Sequence, residues 1–325
     1  AGMQGPFRDS PLFGWTVPPG APLQGRERSA VIPTTSQAWE DANIEDVNRD
    51  GLPLDSMTSS FVTLELRFSG HSRVISAGEL KMLVHHDPHQ RLCSCHRLEP
   101  EQCPFWSQVQ QVVKDELGLP LHKLALTDQG DALAFARHNA VLFAAIAAVS
   151  GCSVIVDSSK SLPRLSRLLA MRSDPRTPIL QIKPIHLHRG PLGLMNSVRK
   201  YGYSLREASD NYCRLFFLTR ERLASVSSLE MSYEQLARYP LRELHRVMAW
   251  IELPFESQQM RWRSGVRRDL HGNDMRFGVS EQIELDDSWR WQLTLIQKCS
   301  VLLWTLPVRL RAGWLFRVWR FLTKN

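Results

Sequence analysis

From about residue 57 onward the chain alternates between short β-branched apolar runs and longer stretches with helical periodicity, and before it no periodicity is found. Ala132–Ser150 is Ala-rich and apolar over five turns, which predicts a helix closed by Gly151. Ser153-Val-Ile-Val-Asp157 has the continuous apolar character of a strand buried on both faces. A second strand is expected over Leu180–Leu187, a helix over Leu205–Ser225, a strand at Leu229–Tyr233 and a further helix over Glu234–Ile251. Residues 288–325 read as one or two helices interrupted at Pro307. Strands alternating with helices predict an α/β domain around a parallel sheet, spanning residues 57–325.

The first 60 positions hold seven Pro and six Gly, a composition that cannot bury enough surface to offset the entropy of ordering. Residues 1–56 are therefore expected to form a disordered leader. Within it, Asp46, Asn48, Asp50 and Gly51 match the first half of a calcium loop. The twelfth position is Met57 in place of an acidic ligand, so a solvated acidic turn is the preferred reading.

Lys+Arg 40 against Asp+Glu 33 gives a net charge of +7. From Ser288 to the end there are seven basic residues and no acidic one, so the rest of the chain is neutral and no nucleic-acid surface is indicated. This basic tail also carries Trp289, Trp291, Trp304, Trp314 and Trp319. It either packs a Trp face on the domain or rests on an anionic membrane surface. Six cysteines in 325 residues do not make a disulfide framework, and no secretory signal or spanning segment is visible, so a reduced, cytoplasmic protein is expected.

Two segments carry chemistry. Asp157-Ser-Ser-Lys160-Ser-Leu-Pro-Arg164 follows the first strong strand, on the rim where open α/β sheets bind ligands. Taken alone, it reads as an N-cap cluster with a solvated lysine, Ser161 capping the next helix. Pro184-Ile-His-Leu-His-Arg189-Gly-Pro places an arginine fork at a strand end and then opens a helix that carries Ser197. A guanidinium, a hydroxyl and a helix N-terminus in that order suit a phosphate.

The Arg189–Ser197 segment resembles the 3′-phosphate site of sulfotransferases that use PAPS, the activated sulfate nucleotide. The resemblance to the bacterial type extends through Asp157–Lys160, Ser232-Tyr233-Glu234-Gln-Leu, His271-Gly272-Asn273-Asp274-Met275-Arg276 and Asp286-Asp-Ser-Trp289. Upstream, Gly78-Glu79 and Cys93-Ser-Cys95…Cys103-Pro-Phe-Trp106 match as well. It implies a three-layer P-loop NTPase-like domain with a central parallel sheet. It also implies transfer of a sulfuryl group from PAPS to a hydroxyl or amine of a small-molecule, glycan or peptide acceptor. Arg189 and Ser197 would hold the 3′-phosphate, and Tyr233 the adenine. Gly272, Asn273 and Arg276 would close over the nucleotide, with Lys160 and Glu79 at the reacting centre, Glu79 as the base. No metal is expected. Cys93, Cys95, Cys103 and His96 lack a standard zinc spacing and read as a local structural cluster.

One family feature has no counterpart at its expected place. The loop that cradles the 5′-phosphosulfate should precede Leu64, where Asp55–Thr63 offers neither glycine nor cation and follows no apolar strand. The first strand is then either absent, or it is Phe61–Phe68 with Ser69–Arg73 as a shortened anion loop. The first of these is preferred, and it leaves a catalytically inactive, nucleotide-binding or interaction protein as the rival function. A nucleotide kinase is excluded for want of a Gly-x-x-x-x-Gly-Lys-Ser/Thr motif.

Overall fold

The structure, a computed structural model, describes residues 30–35, 64–65, 67–95, 98–171, 181–200, 202–261, 267–271, 277 and 285–312. Among the described residues six strands form the sheet: β1 (Ala30–Thr35), β2 (Val74–Ser76), β3 (Val154–Asp157), β4 (Gln181–Ile182), β5 (Ile185–His188) and β6 (Leu229–Ser232). Their order is β2-β3-β1-β5-β6, with β4 also paired to β1, and every pairing is parallel.

The central strand lies inside the expected leader. β1 aligns Ala30–Pro33 with Val154–Asp157 of β3, and Thr34–Thr35 with Ile185–His186 of β5. This corrects the placing of the whole of residues 1–56 outside the α/β domain and the preferred reading of the first strand as absent. The strand was hidden because only Ala30, Val31 and Ile32 are apolar and Pro33 argues against a central position. Pro33 is tolerated where it stands. It is the last residue of the ladder with β3, and the ladder with β5 begins one residue later.

The alternative first strand is corrected too. Residues 64–65 and 67–68 are helical. The turn after them packs on residues 254–259: His71 Nε2 lies 3.0 Å from the Pro254 carbonyl oxygen, and the Ser72 amide donates to Glu256. That turn enters β2 at its amino end, the edge opposite the one where parallel sheets bind ligands. The Asp46–Gly51 and Asp55–Thr63 segments lie outside the described residues.

Ten α-helices are described: α1 (Pro104–Leu117), α2 (Ala132–Ser150), α3 (Leu162–Met171), α4 (Pro191–Arg199), α5 (Leu205–Leu223), α6 (Tyr233–Arg238), α7 (Pro240–Trp250), α8 (Trp289–Gln292), α9 (Leu295–Trp304) and α10 (Leu306–Arg309). α2 has the predicted bounds: the Asp131 side chain accepts from the Ala134 amide, and Gly151 closes the helix at φ 70°. By length and a mean hydropathy of 1.6 it is apolar enough to cross a bilayer, yet Phe135, Leu142, Phe143 and Ile146 are buried in the core. Prolines divide two predicted elements. Pro184 separates β4 from β5, and Pro240 separates α6 from α7, because a residue before proline is pushed out of the helical region.

Strand side chains alternate between two cores. Ile75 and Ile155 pack with Trp106, Val109 and Leu142 on one face. Val74, Val154, Val156 and Leu187 pack with Phe68, Leu244 and Val247 on the other. Helices thus cover both faces, the three-layer α/β arrangement that buried, non-alternating strands require. Within residues 288–312, Val301 and Val308 dock on the domain, buried with Met195, Tyr212 and Phe216, while Trp291, Leu295, Ile296 and Leu303 remain exposed.

Candidate active site on the carboxyl rim of the sheet

The strand order reverses at β1, with β3 on one side and β5 on the other. In open parallel sheets the crevice beyond such a strand's carboxyl end is the ligand site. Its walls are the exits of β2, β3 and β5.

After β2 the chain turns at Gly78, whose φ is +69°. A Cβ there would stand 2.3 Å from both the amide nitrogen and the carbonyl oxygen of Leu270, so only glycine fits. The Gly78 carbonyl accepts from the Ser158 amide (2.9 Å), and the Glu79 amide donates to the Leu270 carbonyl (2.9 Å). Gly78 therefore joins the exits of β2 and β3, and the Leu270 backbone fixes Glu79.

The β3 exit is held by a buried ion pair. Arg164, on the first turn of α3, donates through Nε (3.0 Å) and Nη2 (2.8 Å) to Asp157 Oδ2. The other Asp157 oxygen accepts from the Ser159 amide at 3.1 Å and from the Ser159 hydroxyl. Ser161 caps α3 by accepting from the Arg164 amide, as its position predicts. With the turn so fixed, Lys160 adopts φ +53°, a left-handed conformation unusual for a residue with a side chain. Its Nζ donates directly to Glu79 Oε1, and both side chains are 5% exposed. Lys81 Nζ stands 3.9 Å from the second Glu79 oxygen. Burial first, and then the positive charge of Lys160, bring the Lys81 amine down to about 7. The Ser158 hydroxyl is buried and has no hydrogen-bond partner among the described residues.

Across β1, Arg189 leaves β5 and is 5% exposed. Its guanidinium lies over the Tyr233 ring, 4.8 Å from the centroid, and Nη2 donates to Asp286 Oδ2 at 2.8 Å. The Tyr233 hydroxyl accepts from the Asp286 amide (3.1 Å), and the Tyr212 hydroxyl donates to the Arg189 carbonyl (3.1 Å). Against the burial that would raise it, hydrogen bonds from Ser288 and Arg189 hold the Asp286 carboxyl at about 2. The Gly190 amide donates to Glu234 Oε1 (2.7 Å), and a Cβ on Gly193 would meet Arg189 Nε at 2.9 Å. Beside the start of α4 opens a 230 Å³ cavity lined by Gly190, Gly193 and Asp286, with Arg238, Arg290 and Arg309 in its wall.

The structure thus brings Glu79 to Lys160, and Arg189 to Tyr233. Ser197 is half-buried on α4, six residues beyond Pro191 and so about 9 Å along the helix axis from it. Gly272, Asn273 and Arg276 lie outside the described residues. Sequence reasoning gave no role to Lys81, to the Asp157–Arg164 pair or to Asp286, although the motifs that contain Asp157, Arg164 and Asp286 were singled out. The seven-residue spacing of Asp157 and Arg164 across a strand exit and the first turn of a helix was the available signal for that pair.

No family model and no curated protein matches the sequence. Among solved structures, the chain is similar to the sulfotransferase domain of the Synechococcus PCC 7002 olefin synthase, at 17% identity and a TM-score of 0.48, covering 86% of this chain and 95% of that one. It is also similar to the sulfotransferase domain of the curacin biosynthetic pathway (14% identity, TM-score 0.47, 86% and 97% covered). A third similar structure is the sulfotransferase STF9 from Mycobacterium avium (12% identity, TM-score 0.40, 88% and 78% covered).

Proposed function

We propose that this chain transfers a sulfuryl group from PAPS to a hydroxyl or amine acceptor. One observation carries the reading: the Glu79–Lys160 pair and the Arg189–Tyr233 pair flank the carboxyl end of the central strand, on opposite sides of the point where strand order reverses. An acidic and a cationic group on one wall suit proton removal and charge stabilisation, and an arginine fork on the other suits a terminal phosphate.

In this reading Arg189 and Ser197 bind the 3′-phosphate of the nucleotide, and Tyr233 lies beside its adenine. The Ser158 hydroxyl, buried without a partner among the described residues, is a donor suited to an anionic oxygen. Glu79 takes the acceptor's proton as the acceptor oxygen or nitrogen bonds to sulfur. Lys160 donates to the 5′-phosphate oxygen that leaves sulfur as that bond breaks. Gly272, Asn273 and Arg276 close over the nucleotide.

A second reading keeps nucleotide binding and removes transfer. Of the ten residues after β1, none is Gly, Lys or Arg, and three (Glu40, Asp41, Glu45) are acidic, a composition unlike a phosphosulfate cradle. Calorimetric titration with PAP, the desulfated nucleotide, followed by labelled-sulfate transfer from PAPS to hydroxyl and amine acceptors, separates the readings. Saturable PAP binding with transfer is the expected result. Binding without transfer to any acceptor class selects the inactive relative, and no binding of PAP overturns both.

A further inference from the structure

The three cysteines that sequence spacing set aside converge in the fold. The sulfurs of Cys95 and Cys103 are 3.4 Å apart, those of Cys103 and Cys93 are 3.7 Å apart, and all three lie within 4.8 Å of one another. Thiolates around a tetrahedral zinc ion at about 2.3 Å are separated by about 3.8 Å, so these sulfurs already stand near the edges of such a tetrahedron. We propose that Cys93, Cys95 and Cys103 supply three ligands of a structural zinc site.

Three features favour a metal over an idle thiol cluster. The amides of Trp106 and Phe105 at the start of α1 donate to the Cys103 sulfur. The Cys95 amide donates to the Cys93 sulfur, so backbone N–H groups point at two of the three sulfurs. Arg268, whose positive charge reaches Cys95, has its Nε buried with no hydrogen-bond partner among the described residues. A tris-thiolate zinc centre carries net negative charge, which that guanidinium offsets.

The ligand turn is also built rigidly. The Ser94 amide donates to the Asp269 carbonyl (2.8 Å), the Asp269 amide donates to Ser94 Oγ (3.1 Å), and the Cys93 amide donates to the Leu98 carbonyl (2.8 Å). Cys93 forms an antiparallel bridge with Leu270, the residue that also bridges Gly78 and accepts from the Glu79 amide. Trp106 Nε1 donates to the Arg268 carbonyl at 3.0 Å. Zinc would therefore fasten the start of α1 to residues 93–95 and, through Leu270, steady the turn that carries Glu79. Its role is structural, and it stands or falls independently of sulfuryl transfer.

The test uses the full chain purified under reducing conditions without chelator. Elemental analysis should give one zinc per chain, and Co²⁺ added to stripped protein should produce thiolate-to-cobalt charge-transfer absorption and tetrahedral visible bands. Replacing half-buried Cys95 by Ser should weaken zinc binding by more than the roughly 100-fold that follows loss of an outer partner alone. Replacing exposed Cys299 by Ser should leave it unchanged. Substoichiometric zinc together with no cobalt charge-transfer band overturns the proposal. So does a Cys95–Cys103 or Cys93–Cys103 disulfide in freshly prepared, alkylated protein. Should Cys95→Ser not fold, the cobalt spectrum of the unaltered chain decides.

Discussion

Lys160 and Glu79 bond to each other across the exits of two neighbouring strands, and neither side chain is more than 5% exposed. Two charges brought this far from water depend on each other. Removing one leaves the other buried and unpaired, at a cost of about 3–5 kcal/mol. Glu79→Ala is therefore expected to lower stability by that amount, and the double replacement Glu79→Gln with Lys160→Met to recover most of it. Urea unfolding of the three proteins checks this, and equal destabilisation by the single and double variants would contradict it. If Glu79 is the base, Glu79→Gln also lowers sulfate transfer by about 10²–10⁴-fold while leaving PAP affinity nearly unchanged.

Arg189 gives its terminal nitrogen to the Asp286 carboxylate, at the place the proposed reading assigns to a phosphate oxygen. Asp286 is 43% exposed at its side chain and bonds Arg189 at 2.8 Å, so in the proposed reading it competes with an incoming phosphate for the same donor. Asp286→Asn removes that competition and is expected to tighten PAP binding by about tenfold, the effect of roughly 1.4 kcal/mol. Arg189→Ala should weaken binding by at least about 100-fold. Arg189→Lys should also weaken it, since an ammonium cannot bond bidentately or stack on Tyr233 as a guanidinium does. Calorimetry on the three variants reads these effects, and unchanged affinity in Arg189→Ala would remove the phosphate site.

How far the sequence could be read depended on whether local chemistry and tertiary context agreed. α2 was legible to the residue because an acidic N-cap, an apolar stripe and a terminal glycine all speak locally. Arg189 stood out because a strand end and a Pro-opened helix are sequential neighbours. β1 was illegible for the opposite reason. Its position in the sheet is set by partners at residues 154–157 and 185–186, and its own six residues include a proline and two threonines. The turn that carries Cys93 is bridged to Leu270, far along the chain, a contact that no spacing rule encodes.

The place of β1 between β3 and β5 has a direct consequence. A chain begun at Met57 would leave two buried parallel strands without their shared partner, and their unpaired backbone groups are costly in the interior. Such a chain is expected to lose cooperative unfolding and to expose hydrophobic surface, read by dye binding and by a broadened urea transition. A cooperative transition with an unchanged midpoint would show that residues 30–35 do not belong to the sheet.

Gly78 and Gly118 share a φ of +69° but differ in surroundings, so they form a controlled pair. A Cβ on Gly118 meets nothing within 4 Å, whereas on Gly78 it meets the Leu270 backbone at 2.3 Å. Gly118→Ala should cost only the left-handed penalty, about 1–2 kcal/mol. Gly78→Ala should add a backbone displacement to that penalty and exceed about 4 kcal/mol, in the range reserved for severe lesions. Unfolding midpoints of the two variants give the comparison, and equal losses would mean that the Leu270 segment yields freely.

Lys81 supplies a pH dependence whose sign follows from its amine standing at about 7 in the folded chain, lowered by burial first and by Lys160 next. In the unfolded chain a lysine titrates near 10.4. Below pH 7 both states carry the proton, and the folded state bears the full penalty of burying it. Between about 7 and 10.4 the unfolded state binds more protons, so stability rises with pH, by at most about 1.4 kcal/mol per unit from this group. Lys81→Met removes the proton from both states and should abolish this rise. The difference in urea midpoint between pH 7 and pH 9 is accordingly expected to shrink in Lys81→Met relative to the parent. A parent protein whose advantage over Lys81→Met falls as pH rises would place the Lys81 amine on the other side of its ordinary value.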